Sequence, residues 1–301
     1  MTEPARPIAS FDPFSGGQEP GGLRPYVVLD VFTDTPLQGN PLAVFTGGDG
    51  IDADTMQRVA RELNLSETVF VLSPQRGGAA RARIFTPAAE LPFAGHPILG
   101  AAALVGSALG VEEVVLETAA ADVPVSVRAN GNGTVAGAFA PPLPTWEDFA
   151  EPGALLRALG LERSRLPIVA YTSGPTHVYV ALPGERELAA LRPDLGALGS
   201  LGAIGVNCFA GSGSRWRSRM FAPALGVAED PATGSAAGPL AVHLCRHGEI
   251  PFGQEIEIRQ GEEIGRPSLL RAMADGSAER IETIRVAGSA VFVAHARMRM
   301  S

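Results

Sequence analysis

The sequence predicts a mixed α/β (α+β) chain made of two similar halves, and three observations carry that prediction. Short β-branched and aromatic runs alternate along the chain with helix-like segments of apolar spacing, the mark of a mixed fold rather than an all-helical or all-strand one. An internal repeat is present: His96-Pro97-Ile98-Leu99-Gly100-Ala101-Ala102-Ala103 and Asp230-Pro231-Ala232-Thr233-Gly234-Ser235-Ala236-Ala237 share the spacing polar-Pro-x-x-Gly-x-Ala-Ala. Each copy follows a Phe-x-Pro element, Phe85-Thr86-Pro87 in one and Phe221-Ala222-Pro223 in the other. Finally, 301 residues of which 46% are hydrophobic suffice for one large or two ordinary buried cores.

The elements can be justified in chain order. Residues 1–24 are rich in Pro, Gly and Ser without apolar periodicity, and read as a flexible or surface-draped extension. The fold is expected to start at Tyr26, with the strand Tyr26-Val27-Val28-Leu29-Asp30-Val31-Phe32. After the turn residues Gly39-Asn40-Pro41 a second strand follows at Leu42-Ala43-Val44-Phe45. Asp52 or Asp54 caps a helix whose apolar positions Met56, Val59, Ala60 and Leu63 have helical spacing, and Glu67-Thr68-Val69-Phe70-Val71-Leu72 returns to strand. Further strands are expected within residues 81–85 and 111–127. The second half repeats the mix, with strands near 168–171, 178–182, 206–210 and 217–221 and helices at 146–159 and 235–247. The proline-rich stretch 140–144 reads as the linker between halves. The expected division is an extension over 1–24, a first half over 25–140 completed by 287–301, and a second half over 141–286.

The repeat unit itself points to a ligand site. His96 and Asp230 are each placed to cap a helix whose first position is proline, a favourable start. A helix start leaves about four N–H donors unpaired at the positive end of the macrodipole, so two such ends can grip a carboxylate. An ordinary capped core helix explains either copy alone equally well; two matching copies favour a site.

Composition narrows the chemistry further. A net charge of −8 and a pI near 5.2 argue against a nucleic-acid or anionic-membrane partner and for a small substrate. The apolar stretch 101–110 is too short to span a bilayer, no signal pattern opens the chain, and a cytoplasmic location is expected by default. All 24 basic residues are arginine, so a pyridoxal-phosphate Schiff base, a Gly-Lys-Ser/Thr phosphate loop and a lysine base are excluded. Cys208 and Cys245 have no metal spacing and read as buried apolar residues. His177, His243, His247 and His295 read as structural; His243 and His247 stand one helical turn apart, but no third ligand is evident. Ser235 lacks the Gly-x-Ser-x-Gly setting of a hydrolase nucleophile, and Gly211-Ser212-Gly213-Ser214 lacks a basic anchor for phosphate. No cofactor and no metal are expected.

From Tyr26 to the C-terminus the chain resembles the PhzF-like proteins of phenazine biosynthesis, which share the diaminopimelate epimerase fold. The residues that carry the resemblance are Asp30-Val31-Phe32-Thr33, Gly39-Asn40-Pro41-Leu42-Ala43-Val44, Asn64-Leu65-Ser66-Glu67-Thr68, Glu90-Leu91-Pro92-Phe93-Ala94-Gly95-His96-Pro97, Glu229-Asp230-Pro231-Ala232-Thr233-Gly234-Ser235-Ala236 and Gln260-Gly261 leading to Gly265-Arg266-Pro267-Ser268. The resemblance implies two pseudosymmetric epimerase-like halves, each a mixed-strand barrel around a central helix, with the ligand in the cleft between them. It also implies a last strand, near residues 291–294, that returns to the first half, and a homodimer.

Moving a proton between carbons needs a base, an acid and donors for the intermediate anion, and Glu67, His96 and Asp230 are the candidates. Glu67 stands at the start of an apolar strand, where partial burial would raise its pKa and make it a useful base, though a surface acid fits the same place. His96 is either a cap or a proton relay; Asp230 is a cap that can also orient a substrate amine. The resemblance implies that Glu67 is the proton donor and acceptor, that His96 and Asp230 complete the polar site, and that Ser66 and the backbone donors at Gly95, Gly234 and Ser235 hold a substrate carboxylate. The loops that carry paired thiols in amino-acid epimerases of this fold contain no cysteine here, which disfavours two-thiol racemisation. The expected function is a cofactor-independent isomerase of a small cyclic amino- or hydroxy-carboxylic acid, of the trans-2,3-dihydro-3-hydroxyanthranilate type in secondary-metabolite or antibiotic biosynthesis. The alternatives are a non-catalytic binding or scaffold protein of the same fold, and a carboxylate-based epimerase.

Overall fold

A computed structural model describes residues 22–130 and 133–300. The expected extension therefore lies outside the described residues except for Gly22, Leu23 and Arg24. The chain divides into two compact units, one formed by residues 1–37, 41–139 and 288–301 and the other by 38–40 and 140–287.

In the first unit the strands are β1 (Leu23–Val31), β2 (Asn40–Phe45, whose first residue Asn40 belongs to the second unit), β3 (Glu67–Leu72), β4 (Ala80–Phe85), β5 (Glu90–Leu91), β6 (Glu113–Glu117), β7 (Asp122–Ala129) and β8 (Thr134–Phe139), with helices α1 (Ala53–Leu63) and α2 (Gly95–Leu109). β1 starts three residues before the expected Tyr26, because Leu23, Arg24 and Pro25 pair with Arg299, Met298 and Arg297 of the last strand. Asp52 caps α1, its carboxylate accepting the Thr55 N–H. The β2–β3 and β4–β6 pairs are parallel, and β3–β4, β4–β5, β6–β7 and β7–β8 antiparallel. β1 joins β2 on one side, and the end of the last strand bridges β1 and β8, closing an eight-stranded mixed barrel. α2 fills it, with every residue from Gly95 to Gly106 buried, as expected of a helix apolar on all sides. A Cβ on Gly100 would lie 2.5 Å from Leu42 Cδ2 and 2.9 Å from Val31 Cγ2, so only glycine lets α2 pack this closely.

The second unit contains β9 (Thr145–Asp148), β10 (Val169–Thr172), β11 (Thr176–Ala181), β12 (Gly205–Ser212), β13 (Arg215–Ala222), β14 (Val227–Asp230), β15 (Ile256–Gln260), β16 (Ser268–Gly276) and the first part of β17 (Ile281–Arg299). Its helices are α3 (Pro152–Leu159), α4 (Glu185–Ala190), α5 (Leu195–Gly199) and α6 (Gly234–Arg246). Its pairings repeat those of the first unit in order: β11–β12 parallel, β12–β13 and β13–β14 antiparallel, β13–β15 parallel, β15–β16 and β16–β17 antiparallel. α6 occupies the place in this order that α2 holds in the first, and is buried from Gly234 to Cys245.

The expected helix over 146–159 is shorter, because Thr145–Asp148 pairs with β10 as strand β9 and α3 begins only at Pro152, its first helical residue. The expected caps are also corrected. α2 is capped by Ala94 and begins at Gly95, which makes His96 its second residue; α6 is capped by Thr233, leaving Asp230 at the end of β14. Pro97 is accommodated because first-turn N–H groups have no intrahelical partner. In the second copy Asp230 pairs with Met220 of β13, which holds the chain extended past Pro231 and delays the helix.

Candidate active site

Glu67 opens β3 and His96 sits in the first turn of α2, so a strand end and a helix start of the same unit deliver them to one place. Glu67 Oε2 lies 3.4 Å from His96 Nδ1, with the histidine side chain 4% exposed and the glutamate 15%. Burial pushes the His96 imidazole down to about 3, so near neutral pH it is uncharged and its contact with Glu67 is not an ion pair. Glu67 is thus partly shielded yet reachable. Ser66 is half-buried beside it and Gly95 is buried at the start of α2.

Asp230 belongs to the second unit and is 4% exposed. Asn40 Nδ2 donates to Asp230 Oδ1 at 2.9 Å and to the Ala232 carbonyl at 2.9 Å, while Thr233 Oγ1 donates to Asp230 Oδ2 at 2.6 Å. Gln260 brackets the same turn: its Nε2 donates to the Asp230 carbonyl and to Thr233 Oγ1, both at 2.9 Å, and its Oε1 accepts the Thr233 N–H. Arg266 in turn holds residues 38 and 39 through their carbonyls. The adjacent Glu229 is neutralised by a bidentate pair with Arg219 at 2.8 Å through both nitrogens, so it adds little repulsion to Asp230. Gly234 and Ser235 are the first two residues of α6 and both are buried.

The structure brings Glu67 and His96 together within the first unit and Asp230, Gly234 and Ser235 together within the second. Three residues gain weight that sequence reasoning did not give them. Asn40 and Gln260 stood in the motifs of the resemblance but had no role there; their position on Asp230 is visible only once the chain is folded. His177, read as structural, has its Nε2 2.9 Å from Ser235 Oγ. Cys208 and Cys245 are both buried free thiols, pushed up by burial to about 12 and about 11, so neither supplies a thiolate. Among the described residues no group of three or more His, Cys, Asp or Glu side chains could hold a metal ion, and no helix is long and apolar enough to cross a membrane.

The sequence matches the phenazine biosynthesis-like protein family, PhzC-PhzF, over residues 29–296. The chain belongs to that family. It is 53% identical over 275 residues to a protein of Pseudomonas aeruginosa named trans-2,3-dihydro-3-hydroxyanthranilate isomerase, covering 91% of this chain and 99% of that one. A solved PhzF-family protein of Bacillus anthracis superposes with a TM-score of 0.80 at 25% identity, covering 92% of this chain and 99% of the other. The structure of a Pseudomonas aeruginosa protein described as a predicted epimerase gives a TM-score of 0.78 at 33% identity, over 92% and 100%. The protein is therefore a PhzF-family isomerase with the mixed α/β fold that the resemblance implied, its two halves already marked by the repeat.

Proposed function

We propose that this PhzF-family protein isomerises trans-2,3-dihydro-3-hydroxyanthranilate or a close cyclic amino-carboxylic acid, and that Glu67 carries the proton. The observation that supports this most is the pairing of Glu67 with a neutral, buried His96 at 3.4 Å, in a chain whose 53%-identical relative bears that enzyme's name. As a carboxylate, Glu67 removes a proton from one ring carbon; as the resulting acid it returns the proton to another carbon of the same conjugated system. The electron pair left by the first step moves through the double bonds to the carbon that is protonated in the second, so no oxidant or cofactor enters the balance. Neutral His96 stands beside the glutamate carboxylate without forming an ion pair with it. Asp230, held as a fixed acceptor by Asn40 and Thr233, takes the substrate amine or hydroxyl. The first-turn N–H groups at Gly95, Gly234 and Ser235, with the Ser66 hydroxyl, take its carboxylate.

A homodimer and service in antibiotic or other secondary-metabolite biosynthesis belong to the same reading, supported by the family resemblance, and a cytoplasmic location is proposed with them. The direct experiment mixes the purified protein with trans-2,3-dihydro-3-hydroxyanthranilate in D2O and follows the ring protons by NMR. Isomerisation, with label at the newly protonated carbon to the extent that Glu67 exchanges with solvent, is expected. Binding without turnover would redirect the search to other cyclic amino acids or to the binding-only alternative.

A further inference from the structure

The barrel of the second unit contains a buried polar chain that the reaction scheme above leaves unused. His177 on β11 and Asn207 on β12 face inward because their neighbours Val178, Val206 and Cys208 fill the opposite face against α3 and α5. Asn207 is fully buried and His177 is 3% exposed. Asn207 Nδ2 donates to the Gly205 carbonyl at 3.1 Å and stands 3.2 Å from His177 Nδ1. The Gly205 carbonyl can only accept, which fixes the Asn207 amide with its nitrogen toward both partners. His177 Nδ1 must then be the acceptor, so the ring proton is on Nε2, and burial, which holds this imidazole down to about 4, keeps it neutral. That Nε2–H donates to Ser235 Oγ at 2.9 Å. Space for the ring is made by glycine: a Cβ on Gly205 would lie 2.5 Å from His177 Nδ1.

The consequence falls on the serine hydroxyl. Ser235 Oγ already accepts from His177, and His177 is its one side-chain hydrogen-bond partner among the described residues. Its own O–H therefore has no acceptor among the described residues, although the residue is only 7% exposed; a buried donor left unmade is costly unless a ligand accepts from it. We propose that His177 and Asn207 are positioning residues, which fix Ser235 as an obligatory donor toward an acceptor oxygen of the substrate at the start of α6. This rests on the reading of Ser235 as a substrate contact. The same arrangement prevents His177 from acting as a base on Ser235, because the nitrogen facing the hydroxyl carries the proton.

The test is a mutant cycle read with trans-2,3-dihydro-3-hydroxyanthranilate as substrate. Ser235→Ala is expected to lower kcat/KM about 10- to 100-fold. His177→Leu should give a loss of the same order alone and no further loss in the Ser235→Ala background, since the two act through one hydroxyl. His177→Gln, which can present an amide N–H in place of Nε2–H, should recover most of the loss and covers the case in which the leucine variant fails to fold. Nitrogen-15 NMR of the His177 ring should show the Nε2–H tautomer. Losses that multiply in the double variant, or an Nδ1–H tautomer, would overturn the inference while leaving Ser235 as a substrate contact. An unchanged kcat/KM in Ser235→Ala would remove that contact itself, and the positioning role with it.

Discussion

Asn40 offers the sharpest arithmetic in the site. Its side chain is fully buried and its amide nitrogen makes two hydrogen bonds of 2.9 Å, one to the Asp230 carboxylate and one to the Ala232 carbonyl. A bond to a charged partner contributes about 1.5–3 kcal/mol and a neutral one about 0.5–1.5 kcal/mol. Asn40→Ala should therefore destabilise the protein by about 2–4 kcal/mol, well beyond the ~0.5 kcal/mol typical of surface changes. The same change frees Asp230 to rotate, for which we expect kcat/KM to fall roughly 10- to 100-fold, by analogy with other losses of a single positioned hydrogen bond. Urea unfolding monitored by tryptophan fluorescence gives the stability change, and initial rates give the second. A midpoint displaced by less than about 0.5 kcal/mol, or full activity in a destabilised variant, would refute the view that Asn40 fixes Asp230.

Three further outcomes follow from the packing and the charges. Gly100→Ala should destabilise by up to about 2 kcal/mol in thermal or urea unfolding, because overpacking against Leu42 and Val31, at about 1–3 kcal/mol, offsets or exceeds the ~1 kcal/mol that alanine adds to helix propensity. Arg219→Ala should cost about 3–5 kcal/mol by the same assay, since it strands the Glu229 carboxylate in a pair whose side chains are 5% and 12% exposed. His96, His177 and His243 are held neutral, pushed down by burial to about 3, 4 and 3, the last also by the charges of His247 and Arg246. Their unfolded forms take up protons near pH 6.5, so the unfolded state binds more protons and stability falls as pH drops below that value. Each histidine contributes about 1.4 kcal/mol per pH unit down to its folded value. Unfolding midpoints at pH 7.5 and 5.5 should differ accordingly, and equal midpoints would contradict this.

Much of the site was legible in the sequence for a physical reason: its parts are local motifs. Glu67 heads an apolar strand, and His96 lies in a small-residue helix that must be buried on all sides, so both are marked by their neighbours. The repeat around His96 and Asp230 reflected two barrels with the same order of pairings. Local spacing failed where tertiary partners decided the outcome. The caps shifted because β13 claimed Asp230 as a strand residue, and 145–148 became strand because β10 was available to pair with it. Asn40 meets Asp230 across 190 residues of chain, and His177 meets Ser235 across 58. No periodicity encodes such meetings.

The central claim is that Glu67 moves the proton. It is tested most directly by the rate of Glu67→Gln on trans-2,3-dihydro-3-hydroxyanthranilate, with the fold checked by its urea midpoint. Replacement of the carboxylate by an amide that can neither take nor return a proton should lower kcat by roughly two to four orders of magnitude with the midpoint little changed. A folded Glu67→Gln variant that turns over at a near-native rate would contradict the account.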